Sequence, residues 1–493
     1  MRRAFVLAAA AALSVAPAAA APWAEAGDAQ LRSDLMLLND AGVIRILTSQ
    51  WPIPWAGIAN AVADSPALDS QPRFVREAAR RVRVRVLRET AEGGRAESNF
   101  DATSRPALIR GFDAQGYGNA EAQETVDITA GRSDLHVAVG AITANRRDGG
   151  PAYSRPGGGV AFTADGSYLA QRRGAVEIYG GEVSHWWGPG WVSALSYSTN
   201  ARPFPQVGIA SAGTQTFKTR WLSWIGPWRA EFVAGLLDDH RVAQHTLFDG
   251  LRFTFNPLPG LEIGLARTEI LCGRGHPCSP LISYFDVRNT DRFPSKTAGE
   301  GIFDFKYSRM IAGHPAEIYT QIMNEDSSPF TNSYSSYLVG GSVWFPVAAN
   351  ILRVTGEYVS SIATRDLFSF GTVGYGISYT DYKYIDGLRY RGRPFGFSLD
   401  SDSRLASLQA NLTDAHDRSY TLSVHHALVS RPGTGAANPI TTAPVTIDYA
   451  EARVATPTPI GLLSLAGRIQ SDQPRPSHGA TAAVEATLKV RIR

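Results

Sequence analysis

Val484-Glu485-Ala486-Thr487-Leu488-Lys489-Val490-Arg491-Ile492 alternates apolar and polar residues without a break. A β-strand points successive side chains to opposite faces, so this stretch has one apolar face and one polar, charged face. The same period recurs in Leu135, Val137, Val139 and Ala141 set against Asp134, His136, Ala138 and Gly140. It recurs again in Leu251, Phe253 and Phe255 set against Arg252, Thr254 and Asn256. Two-faced segments of about ten residues are the unit of a membrane-spanning β-barrel, with lipid on one face and a polar interior on the other. The connections support this. Short ones rich in Pro, Gly or Asn (256–260, 313–315, 346–350, 414–418, 456–461) alternate with long polar ones (145–154, 186–205, 271–289, 324–336, 381–404, 431–443). Such asymmetry distinguishes the periplasmic from the extracellular end of an outer-membrane barrel. A soluble propeller would lack it, and no repeat of blade length is evident. Counting segments between turns predicts an all-β transmembrane barrel of about 18 antiparallel strands over residues 96–493, an even number as closure requires.

The rest of the chain is read against that barrel. The sequence has 493 residues, of which 44% are hydrophobic and only 19% charged. After the N-terminus no uncharged run approaches the ~18 apolar residues that a spanning helix needs. Met1-Arg2-Arg3, the apolar stretch 4–15 and Ala18-Ala19-Ala20 form a basic, then apolar, then small-x-small series. It predicts a secretory signal peptide over residues 1–20. Residues 21–95 have helical rather than strand spacing and predict a small periplasmic helical module. Asp28 is placed to cap a helix carrying Leu31, Leu35 and Leu38 and ended by Gly42. Trp51-Pro52-Ile53-Pro54-Trp55 is a rigid break before a second helix reaching Val62. Residues 74–89 carry Arg76, Arg80, Arg81, Arg83, Arg85 and Arg88, a run expected to be a solvated helix face. The net charge of +3 points to no nucleic-acid partner. Cys272 and Cys278, close together in an exported chain, are expected to close a small disulfide loop rather than hold a metal.

No hydrolase elbow, zincin helix, phosphate loop or dinucleotide fingerprint is present, and no enzyme activity or cofactor is expected. His425 and His426 are adjacent on a strand and face opposite ways, so they do not form one ion site. Asp400 and Asp402 are too few ligands for calcium. The densest chemical signal is His185-Trp186-Trp187-Gly188-Pro189-Gly190-Trp191, continuing to Asn200, Arg202 and Pro205. Three tryptophans around a Gly-Pro-Gly bend read either as an interfacial aromatic girdle or as a sugar platform. In the latter, indole faces stack on pyranose rings while Asn200 and Arg202 bond hydroxyls or carboxylates. In residues 381–404, Tyr382, Tyr384, Tyr390, Phe395 and Phe397 interleave with Lys383, Arg389, Arg391 and Arg393. That alternation suits an acidic glycan, or equally a hairpin whose arginines snorkel beside girdle aromatics.

The Trp-Trp-Gly-Pro-Gly-Trp block resembles the signature of the Wzi family of capsule-assembly outer-membrane proteins. The resemblance extends to Pro22-Trp23, Gly27-Asp28, Leu31-Arg32-Ser33-Asp34, Asp40-Ala41-Gly42 and Trp51-Pro52-Ile53-Pro54-Trp55. It takes in Arg391-Gly392-Arg393-Pro394-Phe395-Gly396 as well. It implies an eighteen-stranded barrel with a periplasmic helical bundle. It also implies a lectin-like role, binding or anchoring capsular or extracellular polysaccharide at the cell surface. The expected polysaccharide contacts are Trp186, Trp187, Trp191, Asn200, Arg202, Tyr384, Arg389, Tyr390, Arg391 and Arg393. The expected partners are an acidic polysaccharide and outer-membrane lipid. The rival reading is a porin-like channel for oligosaccharide or polymer, since a barrel of this strand number is wide enough to conduct unless plugged.

Overall fold

The computed structural model describes residues 21–492 other than 64, 66–67, 92–93, 115, 145–158, 238–240, 277, 279–296, 326–333, 366–372, 431–437, 442, 473 and 475–478. The expected signal peptide lies outside the described residues.

The alternating segments form the wall of a closed antiparallel barrel. In chain order its strands are β1 (Arg95–Thr103), β2 (Ala120–Ala130), β3 (Ser133–Ala144), β4 (Gly159–Thr163 with Tyr168–Arg173), β5 (Val176–Gly181) and β6 (Gln206–Ser211 with Gln215–Thr216). Next come β7 (Pro227–Leu236), β8 (Leu247–Leu258), β9 (Leu261–Leu271), β10 (Thr297–Ile311), β11 (His314–Glu325) and β12 (Tyr334–Val347). The last are β13 (Asn350–Arg365), β14 (Val373–Gly374 with Arg404–Thr413), β15 (Ser419–Val429), β16 (Val445–Thr458), β17 (Gly461–Gln470) and β18 (Thr481–Ile492). Strands β4, β6 and β14 are each written in two pieces, because both pieces pair with the same neighbour. Counted this way the wall has eighteen strands. It closes where β18 pairs with β1, in the register Ile492↔Ala96 through Glu485↔Thr103.

The two-residue period sorts side chains between lipid and lumen. On β8, Arg252, Thr254 and Asn256 are buried inside, and Arg252 donates to Ser49 O and to Asp304 within the lumen. Phe253 and the exposed Leu258 lie on the outer surface. On β18, Val484 and Ile492 are exposed while Glu485 and Thr487 are buried. The short turns fall at one end of the barrel and the long loops at the other, as the connection lengths predict, with residues 217–226 a longer connection at the turn end. His425 is buried against Ser407 and His426 is exposed beside Asp448, on opposite faces of β15.

The N-terminal residues fold into helices α1 (Ala29–Asp40), α2 (Trp55–Ala63) and α3 (Arg73–Glu89). Asp28 caps α1 by accepting from Leu31 N at 3.0 Å. The helices enter the lumen from the turn end. Arg45 donates to Asn256 Oδ1 and O, Gln30 Oε1 accepts from Thr413 Oγ1, and Arg80 pairs with Asp417 in the 414–418 turn. Enclosure by the wall buries α1 on nearly every side, so Arg32 and Asp34 are buried along with the leucines. The arginine run of α3 is correspondingly not a plain solvated face. Arg73, Arg76 and Arg83 are exposed, but Arg81 pairs with Asp34 at 2.6 Å and Arg85 with Asp28 at 3.0 Å, docking α3 on α1. Those carboxylates need cations because α1 is surrounded by protein rather than water.

Candidate functional site

Two segments fill the lumen and meet near its middle. From the turn end comes residues 43–55, a strap held to the wall by buried polar contacts. Glu262 of β9 accepts from Thr48 N and Ser49 N, and Arg229 of β7 donates to Gln50 O and Pro52 O. From the loop end comes the excursion 182–205 between β5 and β6. Its Trp186–Trp187 pairs antiparallel with Gln50–Trp51 of the strap. The Gly-Pro-Gly bend is clamped from both sides. Arg32 of α1 donates to Pro189 O and Gly190 O at 2.8 and 2.9 Å. Glu357 of β13 accepts from Trp191 N at 2.7 Å, and Gln321 of β11 bonds Trp187 O and Leu195 N. Gly188, at φ 152°, sits with Gln321 where a Cβ would lie, so a side chain has no room there.

This arrangement settles where the tryptophans are. Trp186, Trp187 and Trp191 are 0, 0 and 4% exposed. Phe112 meets both Trp186 and Trp191 edge-on, and the Arg32 and Arg353 guanidinium groups lie over Trp191 at 4.4 and 3.4 Å. They are therefore lumen-filling rings and not an interfacial girdle, and their faces are covered by protein. The physical reason is the width of an eighteen-stranded barrel, whose interior has to be occupied by large side chains or by water.

The excursion 375–403, inserted within β14, covers the loop end. It folds on itself through Arg389, whose guanidinium grips Asp400 at 2.8 and 2.5 Å, and is tied to the excursion 182–205 by Tyr379 OH, which donates to Leu195 O. Tyr384 is buried and donates to Cys272 O, beside the disulfide that joins Cys272 to Cys278. Tyr390 is buried against Phe204, and Asn200 donates to Pro394 O. Arg202 forms a two-pronged pair with Asp165 at 2.6 and 2.7 Å. Of the ten residues expected to contact polysaccharide, the structure thus brings all but Tyr384 into one connected assembly around 182–205 and 389–400. It commits Trp186, Trp187, Trp191, Asn200, Arg202, Tyr384, Arg389 and Tyr390 to internal contacts.

Arg391 and Arg393 lie at a turn of the same excursion. Residues 389–394 form a small hairpin, Arg389–Tyr390 pairing with Arg393–Pro394. Its two turn residues, Arg391 and Gly392, both have positive φ (50° and 79°), as a tight hairpin turn of this hand requires. The turn presents an exposed Arg391 over the Tyr390 ring, and a half-buried Arg393 lies 5.7 Å from the Tyr117 ring. Beside them Glu182 is pushed up to about 7, chiefly by burial and secondly by the Asp165 carboxylate, against the pull of Arg202 and Arg391. Earlier in the same excursion, Tyr382 is 79% exposed with Lys383 Nζ 4.7 Å from its ring. Ile385 and Val242 are exposed nearby, joined through the Asp386 bond to Val242 N. Sequence reasoning missed Arg32, Tyr117, Asp165 and Glu182. They come from separate segments; Arg32 stands in the Leu31-Arg32-Ser33-Asp34 stretch but was given no role, and no local motif marks the other three.

A family model described as capsule assembly protein Wzi matches residues 90–471. An uncharacterized 55.8 kDa protein in the cps region of Klebsiella pneumoniae is 28% identical over 325 residues. That match covers 64% of this chain and 60% of the relative, so it spans about three fifths of the relative's length. Among solved structures, Wzi of Escherichia coli is described as an outer membrane protein involved in group 1 capsule assembly and a carbohydrate binding β-barrel. It superposes with a TM-score of 0.80 at 21% identity, covering 94% of this chain and 98% of that one, and so shares the fold. OccK5 of Pseudomonas aeruginosa aligns with a TM-score of 0.44 at 8% identity, over 81% of this chain and 98% of its own.

Proposed function

Because the chain belongs to the capsule assembly protein Wzi family, we propose that it is a non-catalytic, lectin-like outer-membrane protein that holds capsular or extracellular polysaccharide at the cell surface. The observation that carries this reading is the division of labour at the loop end. The buried tryptophans and ion pairs make a rigid base, on which Tyr382 and Arg391 are exposed and Lys383 and Arg393 half-buried. Aromatic faces stack on sugar rings and cations pair with uronate-type carboxylates, so an acidic polymer is the ligand class this surface fits. Each contact is weak, but many copies of the protein along one polymer raise the effective concentration and retain it. The helices belong, on this reading, to the periplasmic side, and residues 21–95 act as a plug. The channel reading is disfavoured, because the lumen between α1 and β7–β13 is packed with side chains.

Deleting the protein tests the proposal. A surface holdfast acts after export, so polymer should still be made and exported but should be shed into the medium. Loss of export itself would overturn the proposal in favour of a conduit.

A further inference from the structure

The turn end of the barrel has eight hairpins, and seven are tight: residues 131–132, 174–175, 259–260, 312–313, 348–349, 414–418 and 459–460. The eighth, residues 217–226 between β6 and β7, is longer and reads Phe217-Lys218-Thr219-Arg220-Trp221-Leu222-Ser223-Trp224-Ile225-Gly226. A single 3-10 turn, Ser223–Ile225, shapes its tip. Trp221 is 86% exposed and Trp224 63%, with Leu222 exposed between them. Tryptophan is a costly residue to leave in water, and two on one short turn require a partner surface.

The ring contacts say which surface. Phe217 stacks on Trp228 at 4.8 Å, Trp228 adjoins Phe253 at 5.7 Å, and Trp224 meets Phe255 edge-on at 6.3 Å. Phe253 and Phe255 lie on the face of β8 opposite Arg252, which points into the lumen. The loop therefore continues the barrel's outer, lipid-facing surface and does not lie over the pore. Lys218 and Arg220, both exposed, immediately precede the tryptophans and form no ion pair with a described residue. Large amphipathic rings at the depth of the headgroups, with cations beside them, are the chemistry of an anionic membrane interface.

We infer that residues 217–226 are an interfacial foot that binds the phospholipid leaflet on the turn side, with Trp221, Leu222 and Trp224 in the headgroup–acyl boundary and Lys218 and Arg220 on anionic headgroups. The foot fixes the depth and tilt of the barrel on the β6–β8 side. This assignment is independent of the polysaccharide reading.

The test places a nitroxide on Ser223→Cys in the full-length protein, whose own cysteines are joined to each other. The protein is reconstituted in vesicles of phosphatidylcholine, alone or with a minority of phosphatidylglycerol. The label should collide several-fold more with dissolved oxygen than with a water-soluble nickel chelate, and the ratio should rise when phosphatidylglycerol is added. Lys218→Gln with Arg220→Gln should abolish that rise. Trp221→Ser with Trp224→Ser should return the label to water, while the barrel keeps its heat-modifiable gel migration. A label as open to the nickel chelate as one in free solvent would overturn the inference and mark the loop as a docking site for a soluble partner. A phosphatidylglycerol response unchanged in the charge variant would overturn the headgroup assignment.

Discussion

Replacing Arg32 with Met should loosen the Trp bend without unfolding the barrel. The guanidinium is buried, and burial pulls it down to about 10, so it is charged at neutral pH. It makes two bonds, to Pro189 O and Gly190 O, and lies 4.3 Å from the Phe112 ring and 4.4 Å from the Trp191 ring. Two hydrogen bonds from a charged donor are worth about 1.5–3 kcal/mol each, and the cation–π contacts add about 0.5–2 kcal/mol. Against this, removing a buried charge recovers a desolvation penalty of several kcal/mol. Met fills most of the volume, so the residual cost is the two orphaned carbonyls, a net of about 1–3 kcal/mol on docking of the bend. Since about 1.4 kcal/mol is tenfold in an equilibrium, the undocked population should rise from about fivefold to about 150-fold. Native-state hydrogen exchange reads this directly. The amides of Trp187, Gly188 and Trp191, bonded to Tyr197 O, Ser49 O and Glu357, should exchange faster by that factor, while β10–β12 amides are unchanged. In planar bilayers the variant should open more often than a quiet wild type. Unaltered exchange at all three amides would refute the idea that Arg32 joins the helices to the Trp bend.

Two further outcomes are expected. Glu182 is raised from its usual value to about 7, so it is protonated in both folded and unfolded chains below about 4.5. The stability that this protonation lends the cluster is present at low pH and lost as pH rises toward 7. Protection factors at residues 199–204, with the intrinsic base catalysis of exchange divided out, should therefore be higher at pH 5 than at pH 8 in the wild type, and Glu182→Gln should remove the difference. Sidedness is checked on intact cells with an impermeant thiol reagent: Tyr382→Cys at the loop end should react and Pro259→Cys at the turn end should not, although both positions are exposed.

Alternation made the wall legible, because lipid on one side and a polar lumen on the other impose opposite demands on neighbouring residues at every step. The position of the turns was legible for a similar reason, since Pro and Gly mark a reversal locally. The lumen was not. A tryptophan at a membrane interface and one filling a wide barrel satisfy the same local rules, and distant partners distinguish them: the strap 43–55, Arg32, and Gln321 and Glu357 of β11 and β13. Arg389 looked like a ligand for an acidic sugar because it stands in a run of alternating aromatic and cationic residues, and nothing local pairs it with Asp400, 11 residues on. The hairpin turn that separates Arg391 from Arg389 decides which arginine faces out, and that depends on positive φ at Arg391 and Gly392. Asp165 and Glu182 carry no pattern in sequence. The fold of two excursions brings them to Arg202 and Arg391.

On this account the loop end grips an acidic polysaccharide through Lys383, Arg391 and Arg393 and the exposed ring of Tyr382. The direct measurement is binding of the purified, detergent-solubilised protein to polymer extracted from the host's own surface, followed by calorimetry across a salt series. The wild type should bind, and binding should weaken as salt screens the charges. Lys383→Gln, Arg391→Gln and Arg393→Gln together should weaken it further and flatten the salt dependence, and Tyr382→Ala should weaken it without changing the salt slope. Binding that is absent in the wild type, or equal in wild type and the triple variant at low salt, would contradict the account.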